Sequence, residues 1–94
     1  MIVLRIEHKI ANYAGWKRAF ENDPINRKQS GVIRYRIYRP VDDEAFVIID
    51  LEFEHPEQAL ETMKALENIF PKIEGSIIFG VQLKILEVIE TVEI

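Results

Sequence analysis

One histidine and a few aromatic residues are the side chains of this sequence that could carry out chemistry. His8 lies near the end of the first apolar segment, Ile2–Lys9, and Tyr13 and Trp16 follow closely. Because a histidine ring titrates near neutral pH, His8 could take a proton from a substrate. Tyr13 and Trp16 could hold an apolar ring beside it. A structural role also fits these residues. In that case His8 forms a hydrogen bond at the edge of the core, and the aromatic residues are an ordinary core-facing stripe of a helix.

Further candidates lie in the middle of the chain. Tyr38 could move a proton, and Arg34 could bind a substrate carboxylate through two parallel hydrogen bonds. Packing also explains Tyr38, and a ladder of opposite charges with nearby acids also explains Arg34. Arg27 and Lys28 lie in a connection that could cover a pocket or simply be solvated. The candidate catalytic residues are therefore His8 and Tyr38, and the candidate substrate-binding residues are Tyr13, Trp16 and Arg34.

Composition limits the cofactors and partners. The sequence has no cysteine, so it has no disulfide and no thiolate metal ligand. Its two histidines lack an accompanying carboxylate pattern, and we expect neither a metal nor another cofactor. A net charge of −4 opposes nonspecific binding to nucleic acid. No apolar run reaches the roughly 18 residues of a membrane span, so we expect a cytoplasmic protein with no membrane partner.

The apolar pattern predicts which elements position the first candidates. Alternation along Ile2–Lys9 is typical of a strand and puts His8 on its apolar side. Asn12 is suited to cap a helix, whose aromatic residues then recur at helical spacing on one face. This helix should end before Pro24, because proline disfavours helical geometry in the residue ahead of it.

The remaining pattern predicts a hairpin, a second helix and a last strand. Two runs rich in β-branched and aromatic residues within Val32–Phe53 indicate a β-hairpin that directs Tyr35 and Tyr38 to opposite faces. A second helix should start at Pro56 and end at Pro71. A last strand is expected near Leu83–Ile89. The apolar stripe predicted for the second helix consists of Ala59, Leu60, Met63, Leu66 and Phe70.

The resulting order, β-α-β-β-α-β, predicts the ferredoxin-like α+β fold in a single domain, residues 1–94. We expect a four-stranded antiparallel sheet with two helices on one face. The other face would mix charged and apolar side chains, among them Arg5, Arg34, Asp50 and Glu52. Such a face can lie in water or against a partner sheet.

Three stretches, Asn12–Pro24, Gly31–Asp43 and Val47–Phe53, resemble small proteins of the dimeric α+β barrel superfamily, relatives of the antibiotic biosynthesis monooxygenases. The resemblance implies a homodimer whose sheets pack face to face, with a small-molecule pocket between sheet and helices in each subunit. It also implies oxidation or rearrangement of aromatic polyketides, haem degradation, or reactions of small cyclic substrates, often without a bound metal or flavin.

The haem-degrading members of that superfamily use an Asn, Trp and His set. Here Asn12 and Trp16 lie on the first helix and His55 opens the second, so the chain departs from that set.

Two functions remain open from the sequence. The first is a cofactor-independent, monooxygenase-like enzyme that acts on a small apolar or aromatic molecule, with His8 or Tyr38 moving protons. The second is a non-catalytic homodimeric module that binds a small ligand or simply assembles. An RNA-recognition domain shares the β-α-β-β-α-β order, but the first strand here offers no aromatic residue on which a base could stack. An enzyme should show a pocket around a perturbed titratable group, and a module should show a filled core.

Overall fold

The chain folds into a four-stranded antiparallel sheet with three helices. The computed structural model describes residues 1–94, in the order β1 Ile2–Ile10, α1 Tyr13–Glu21, α2 Arg27–Ser30, β2 Arg34–Tyr38, β3 Phe46–Phe53, α3 Pro56–Ile73 and β4 Ile78–Glu87. The strands lie side by side as β2-β3-β1-β4. This confirms the predicted ferredoxin-like fold, to which the structure adds the short helix α2.

Strand β1 lies at the centre of the sheet and has two different faces. Leu4, Ile6 and His8 alternate on the buried face and lie opposite Leu51, Ile49 and Val47 of β3. Arg5 and Glu7 point to the other side, as the alternation predicted. The core therefore forms on the side of the sheet that faces the helices.

The first helix is capped as predicted. The Asn12 side chain accepts a hydrogen bond from the Gly15 backbone N–H at 2.7 Å, and Trp16 is the buried residue of α1. The helix ends at Glu21, before Pro24. The connection after it was expected to be irregular, but Asn26 caps a further helical turn, α2, which brings Arg27 against the core side.

Helix α3 begins at Pro56 as predicted but runs beyond its predicted end at Pro71 to Ile73. The proline is tolerated because it removes only one helical hydrogen bond in the last turn. The Glu74 backbone N–H still donates to the Phe70 carbonyl at 2.8 Å, which closes the helix. The predicted stripe was also partly wrong, since Leu60 is 43% exposed. None of the helices is long and apolar enough to cross a membrane.

Strand β4 starts at Ile78, well before the predicted Leu83. A β-bulge in its first half interrupts the alternation of side chains. Glu7 pairs with Gln82 whereas Lys9 pairs with Phe79, so β4 carries one extra residue opposite His8. Gly80 lies in this stretch and has a positive φ of 66°, a conformation that a bulge often requires. The bulge lets β4 pair along the whole length of β1.

The sheet face opposite the helices carries two cross-strand ion pairs. Arg5 binds both carboxylate oxygens of Asp50 at 2.8 and 2.9 Å. Arg34 binds both oxygens of Glu52 at 2.7 and 3.1 Å. Both pairs join residues directly opposite each other in the sheet register, as the charge-ladder interpretation expected. We call this surface the open face.

Gly31 follows α2 as its C-cap and has a φ of 97°, so its replacement should lower the free energy of unfolding. Replacing Gly31 with alanine places a Cβ about 2.5 Å from Nε2 of Gln58, whose Oε1 caps the His55 backbone N–H. Gly75 also has a positive φ but has no atom near its virtual Cβ. Gly75→Ala should therefore cost about 1 kcal/mol for backbone strain alone. Gly31→Ala should cost about 1 kcal/mol more, because the cap of α3 must shift.

Urea unfolding of the two variants and the wild type measures this difference. Equal free energies of unfolding for Gly31→Ala and Gly75→Ala would show that the contact between α2 and α3 contributes nothing.

Candidate functional site

A cavity of about 90 Å³ lies between the sheet and the helices. Twelve of its 15 lining residues are hydrophobic. The lining residues come from β1, β3, β4, α1, α3 and the segment Pro24–Arg27. The two titratable side chains in the wall are His8 and Arg27. The site is therefore an apolar chamber with two polar contributions, one from the sheet and one from α2.

His8 is the polar residue of the sheet wall. It is 2% exposed, and its Nδ1 lies 3.0 Å from the Lys9 carbonyl oxygen. Because a carbonyl only accepts, this contact assigns the proton to Nδ1 and leaves the lone pair on Nε2. Burial lowers the pKa of His8 below its ordinary value, since the charged ring would lose its hydration. The ring is therefore held neutral, with Nε2 able to accept a proton.

Glu74 and the bulge in β4 complete the surroundings of His8. The Gly80 backbone N–H donates to Oε1 of Glu74 at 2.8 Å, which ties the bulge to the end of α3. The charge of Glu74 and the contact with the Lys9 carbonyl both act to raise the pKa of His8, but burial is the larger effect. Bulges are common next to functional sites because they change the direction of a strand locally. Apart from the glycine, no feature of the sequence indicates this bulge.

A chain of aromatic rings runs from His8 along α1. The Trp16 ring centroid lies 6.1 Å from that of His8 and 5.4 Å from that of Phe20. Phe70 of α3 closes the other side, 6.3 Å from His8. Tyr13 packs on Trp16 at 5.7 Å but is 39% exposed and does not line the cavity. The structure thus brings His8 and Trp16 together and leaves Tyr13 as a supporting residue behind them.

Arg27 is the polar residue of the α2 wall. Its guanidinium lies over the Phe20 ring at 4.1 Å and near the Tyr35 ring at 5.1 Å. Its Nη1 donates to the Phe20 carbonyl at 2.9 Å. The sequence left open whether Arg27 and Lys28 cover a pocket or are simply solvated. Arg27 lies in the wall of the cavity, whereas Lys28 is exposed to solvent.

Tyr38 and Arg34 lie on the open face, away from His8. The Tyr38 ring is 6.0 Å from the Arg5 guanidinium, and Arg34 is paired with Glu52. The ion pair occupies the planar edge with which Arg34 would bind a carboxylate, and Arg34 lowers the pKa of Glu52 by donating to it. Within one subunit, therefore, Tyr38 cannot share a cavity with His8.

No group of three or more His, Cys, Asp or Glu side chains is close enough to hold a metal ion. The sequence did not predict the parts of the wall that come from the connection after α1 and from the start of β4. Pro24 and Ile25 belong to a connection, and Ile78 precedes the predicted last strand, so their contribution depends on α2 and the bulge.

Known proteins share this fold at low sequence identity. The cofactor-independent oxygenase SnoaB from Streptomyces nogalater aligns with a TM-score of 0.73 and 10% identity, over 96% of this chain and 94% of SnoaB. A mutant of MhuD, solved with two manganese protoporphyrin IX molecules bound per active site, aligns with a TM-score of 0.70 and 18% identity over 99% of each chain. A dimeric ferredoxin-like protein from an uncultured marine organism aligns with a TM-score of 0.68 and 12% identity over 97% of each chain.

No family model matches the sequence, and neither does any curated protein. At these identities the structural matches are likenesses of fold. Structures classed with the antibiotic biosynthesis monooxygenases are also among them. The comparisons thus confirm the predicted ferredoxin-like fold.

Proposed function

We propose that this protein is a homodimeric, cofactor-independent, monooxygenase-like enzyme that acts on a small apolar or aromatic molecule. The observation that carries the proposal is the neutral, buried His8 in an otherwise apolar cavity. A buried group with a perturbed pKa in an apolar cavity is typical of a functional site. The oxygenase SnoaB, which shares the fold, supports the same reaction class.

The chemistry follows from the state of the His8 ring. Nε2 accepts a proton from an acidic C–H or O–H group of the substrate, and the Lys9 carbonyl holds the ring in the tautomer that this step needs. The resulting carbanion forms a C–O bond to dioxygen, the co-substrate, and the protonated His8 returns its proton to the peroxide. Loss of water from this hydroperoxide breaks the O–O bond and leaves a carbonyl group, so the substrate supplies all the electrons. The apolar wall formed by Trp16 and Phe70 keeps water from the anion.

The volume of the cavity restricts the substrate and requires the wall to move. About 90 Å³ is less than the roughly 150 Å³ cavity that is known to accept benzene. The wall segment Pro24–Arg27 belongs to neither the sheet nor a long helix, so it is the part that we expect to yield. A porphyrin is far larger than this chamber, so the cavity as it stands does not fit haem.

We further propose that the enzyme acts in the cytoplasm, whose reducing conditions suit a chain without cysteine.

The homodimer of this proposal forms through the open face. This face places apolar residues such as Val3 and Leu86 among the charges of β1, β2 and β3. Arg36 is exposed there and forms no ion pair within its own chain. The dimeric ferredoxin-like protein of the same fold supports this assembly.

The alternative function is a non-catalytic homodimeric module that binds a small ligand or simply assembles. The small volume of the cavity and the two bidentate ion pairs of the open face favour it. In that case His8 is a neutral core residue, and its burial contributes only to the fold.

Stability against pH tests the state of His8. The pKa of His8 is lowered in the folded protein, so the unfolded chain binds more protons as the pH falls through about 6.5. The free energy of unfolding therefore decreases in this pH range, by at most about 1.4 kcal/mol per pH unit. Below the folded pKa both states are protonated and the slope disappears. His8→Gln should abolish this slope, whereas His55→Asn, at an exposed position, should keep it. Urea unfolding across this pH range provides the measurement, and identical slopes in the wild type and His8→Gln would contradict a neutral His8.

Catalysis tests the role of His8 as base. Oxygen uptake is measured with a panel of small phenols and aromatic ketones that carry an acidic C–H group. On any substrate that the wild type turns over, His8→Gln should lower kcat at least about a hundredfold. His55→Asn should leave kcat unchanged. Full activity in His8→Gln would exclude His8 as the base and would favour the module.

Light scattering across micromolar concentrations tests the dimer. The wild type should have twice the 11.0 kDa mass of one chain. Arg36→Glu makes the open face more acidic in both subunits, so repulsion between the two apposed faces should shift the mass toward the monomer. Lys64→Glu makes the same charge reversal at an exposed position of α3 and should leave the dimer intact. A wild-type protein that is monomeric at every concentration would refute the homodimer.

A further inference from the structure

Arg27 is a cation in the wall of an apolar cavity, and its own chain neutralises it only in part. Its side chain is 16% exposed, and its nearest acid is Asp23, with an Nε to Oδ1 distance of 3.5 Å. That distance is at the limit of a hydrogen bond. The same Oδ1 accepts the Arg27 backbone N–H at 2.8 Å, so the carboxylate is already engaged. A partly buried charge with a weak partner is costly, and a second anion would offset the cost.

The guanidinium also has donors to spare. Nη1 donates to the Phe20 carbonyl, whereas Nη2 makes no hydrogen bond within the chain. The planar group stacks on Phe20, an arrangement that leaves the in-plane N–H groups directed outward. Arg27 can therefore bind an anion without giving up its stacking contact.

Arg27 and His8 line the same cavity from different elements. His8 belongs to the sheet, whereas Arg27 belongs to α2, and the apolar side chains of Trp16, Phe20 and Phe70 lie between and around them. A molecule held by its anionic group at Arg27 would extend its ring along these side chains. Its far end would then face Nε2 of His8.

We propose that the ligand of this cavity is an aromatic acid whose carboxylate or phenolate binds the Arg27 guanidinium while its ring packs on Phe20 and Trp16. This inference rests on the proposed function and narrows its substrate class. It assigns Arg27 the selection of the acid and leaves proton transfer to His8.

Benzoate and benzamide form the matched pair of probes, because they share size and ring and differ in charge. Binding is measured at neutral pH by NMR titration of the ¹⁵N-labelled full-length protein. The wild type should bind benzoate about tenfold more tightly than benzamide, equivalent to about 1.4 kcal/mol. Arg27→Gln should reduce this ratio to about one without weakening benzamide, because the ring contacts remain.

Two further variants complete the test. Arg27→Lys keeps the charge and should retain part of the preference for benzoate. Lys28→Gln removes a charge from the neighbouring exposed position of α2 and should leave the ratio unchanged. The comparison of the two probes in the wild type does not depend on any variant being folded.

The outcomes separate this inference from the proposed function. Equal binding of both probes to the wild type, or a preference that survives in Arg27→Gln, overturns the assignment of Arg27 and leaves the ring-binding cavity intact. Shifts that map to the open face and not to the cavity also overturn the assignment. Binding of neither probe overturns it together with the proposed function.

Discussion

The strict alternation of side chains along β1 is the constraint on which the rest of this structure depends. Because β1 lies between β3 and β4, every residue it turns toward the helices enters the core, and every residue it turns away joins the open face. His8 and Arg5 are three positions apart and so lie on opposite faces. A shift of one residue would exchange them. The candidate cavity and the candidate dimer surface are therefore two consequences of one strand.

This arrangement also separates the charges of the protein in space. On the open face, Arg5 and Arg34 are each bound by a carboxylate from β3, which fixes the register of the sheet. In the cavity, the apolar surroundings keep His8 uncharged, and Arg27 is the one permanent charge in the wall. Electrostatic interactions are strong in such surroundings because little water screens them. If the cavity binds a ligand as proposed, Arg27 alone would distinguish an anionic molecule from a neutral one of the same shape.

The fold and part of the site could be predicted from the sequence because they follow local rules. Alternation assigned His8 to the core face, and the Asn12 cap and the aromatic spacing placed Trp16 beside it. The segment from Asn22 to Ser30 was not predictable in the same way, since its single helical turn has no periodicity to detect. The roles assigned to His8, Tyr38, Tyr13, Trp16 and Arg34 stay predictions, although the structure places only His8 and Trp16 in the wall of one cavity.

The bulge at Gly80 has a consequence for how tolerant the sheet is to changes in chain length. Ile78 and Val81 both pack on the helix side although they are three positions apart, which a regular strand does not allow. Loss of one residue between them would restore regular alternation. It would leave Ile78, which is part of the cavity wall, and Val81 both on the helix side, because a single residue would then lie between them. Among relatives of this chain, loss of a single residue between Ile78 and Val81 should therefore be tolerated, because the bulge holds the one residue that β4 has in excess of β1.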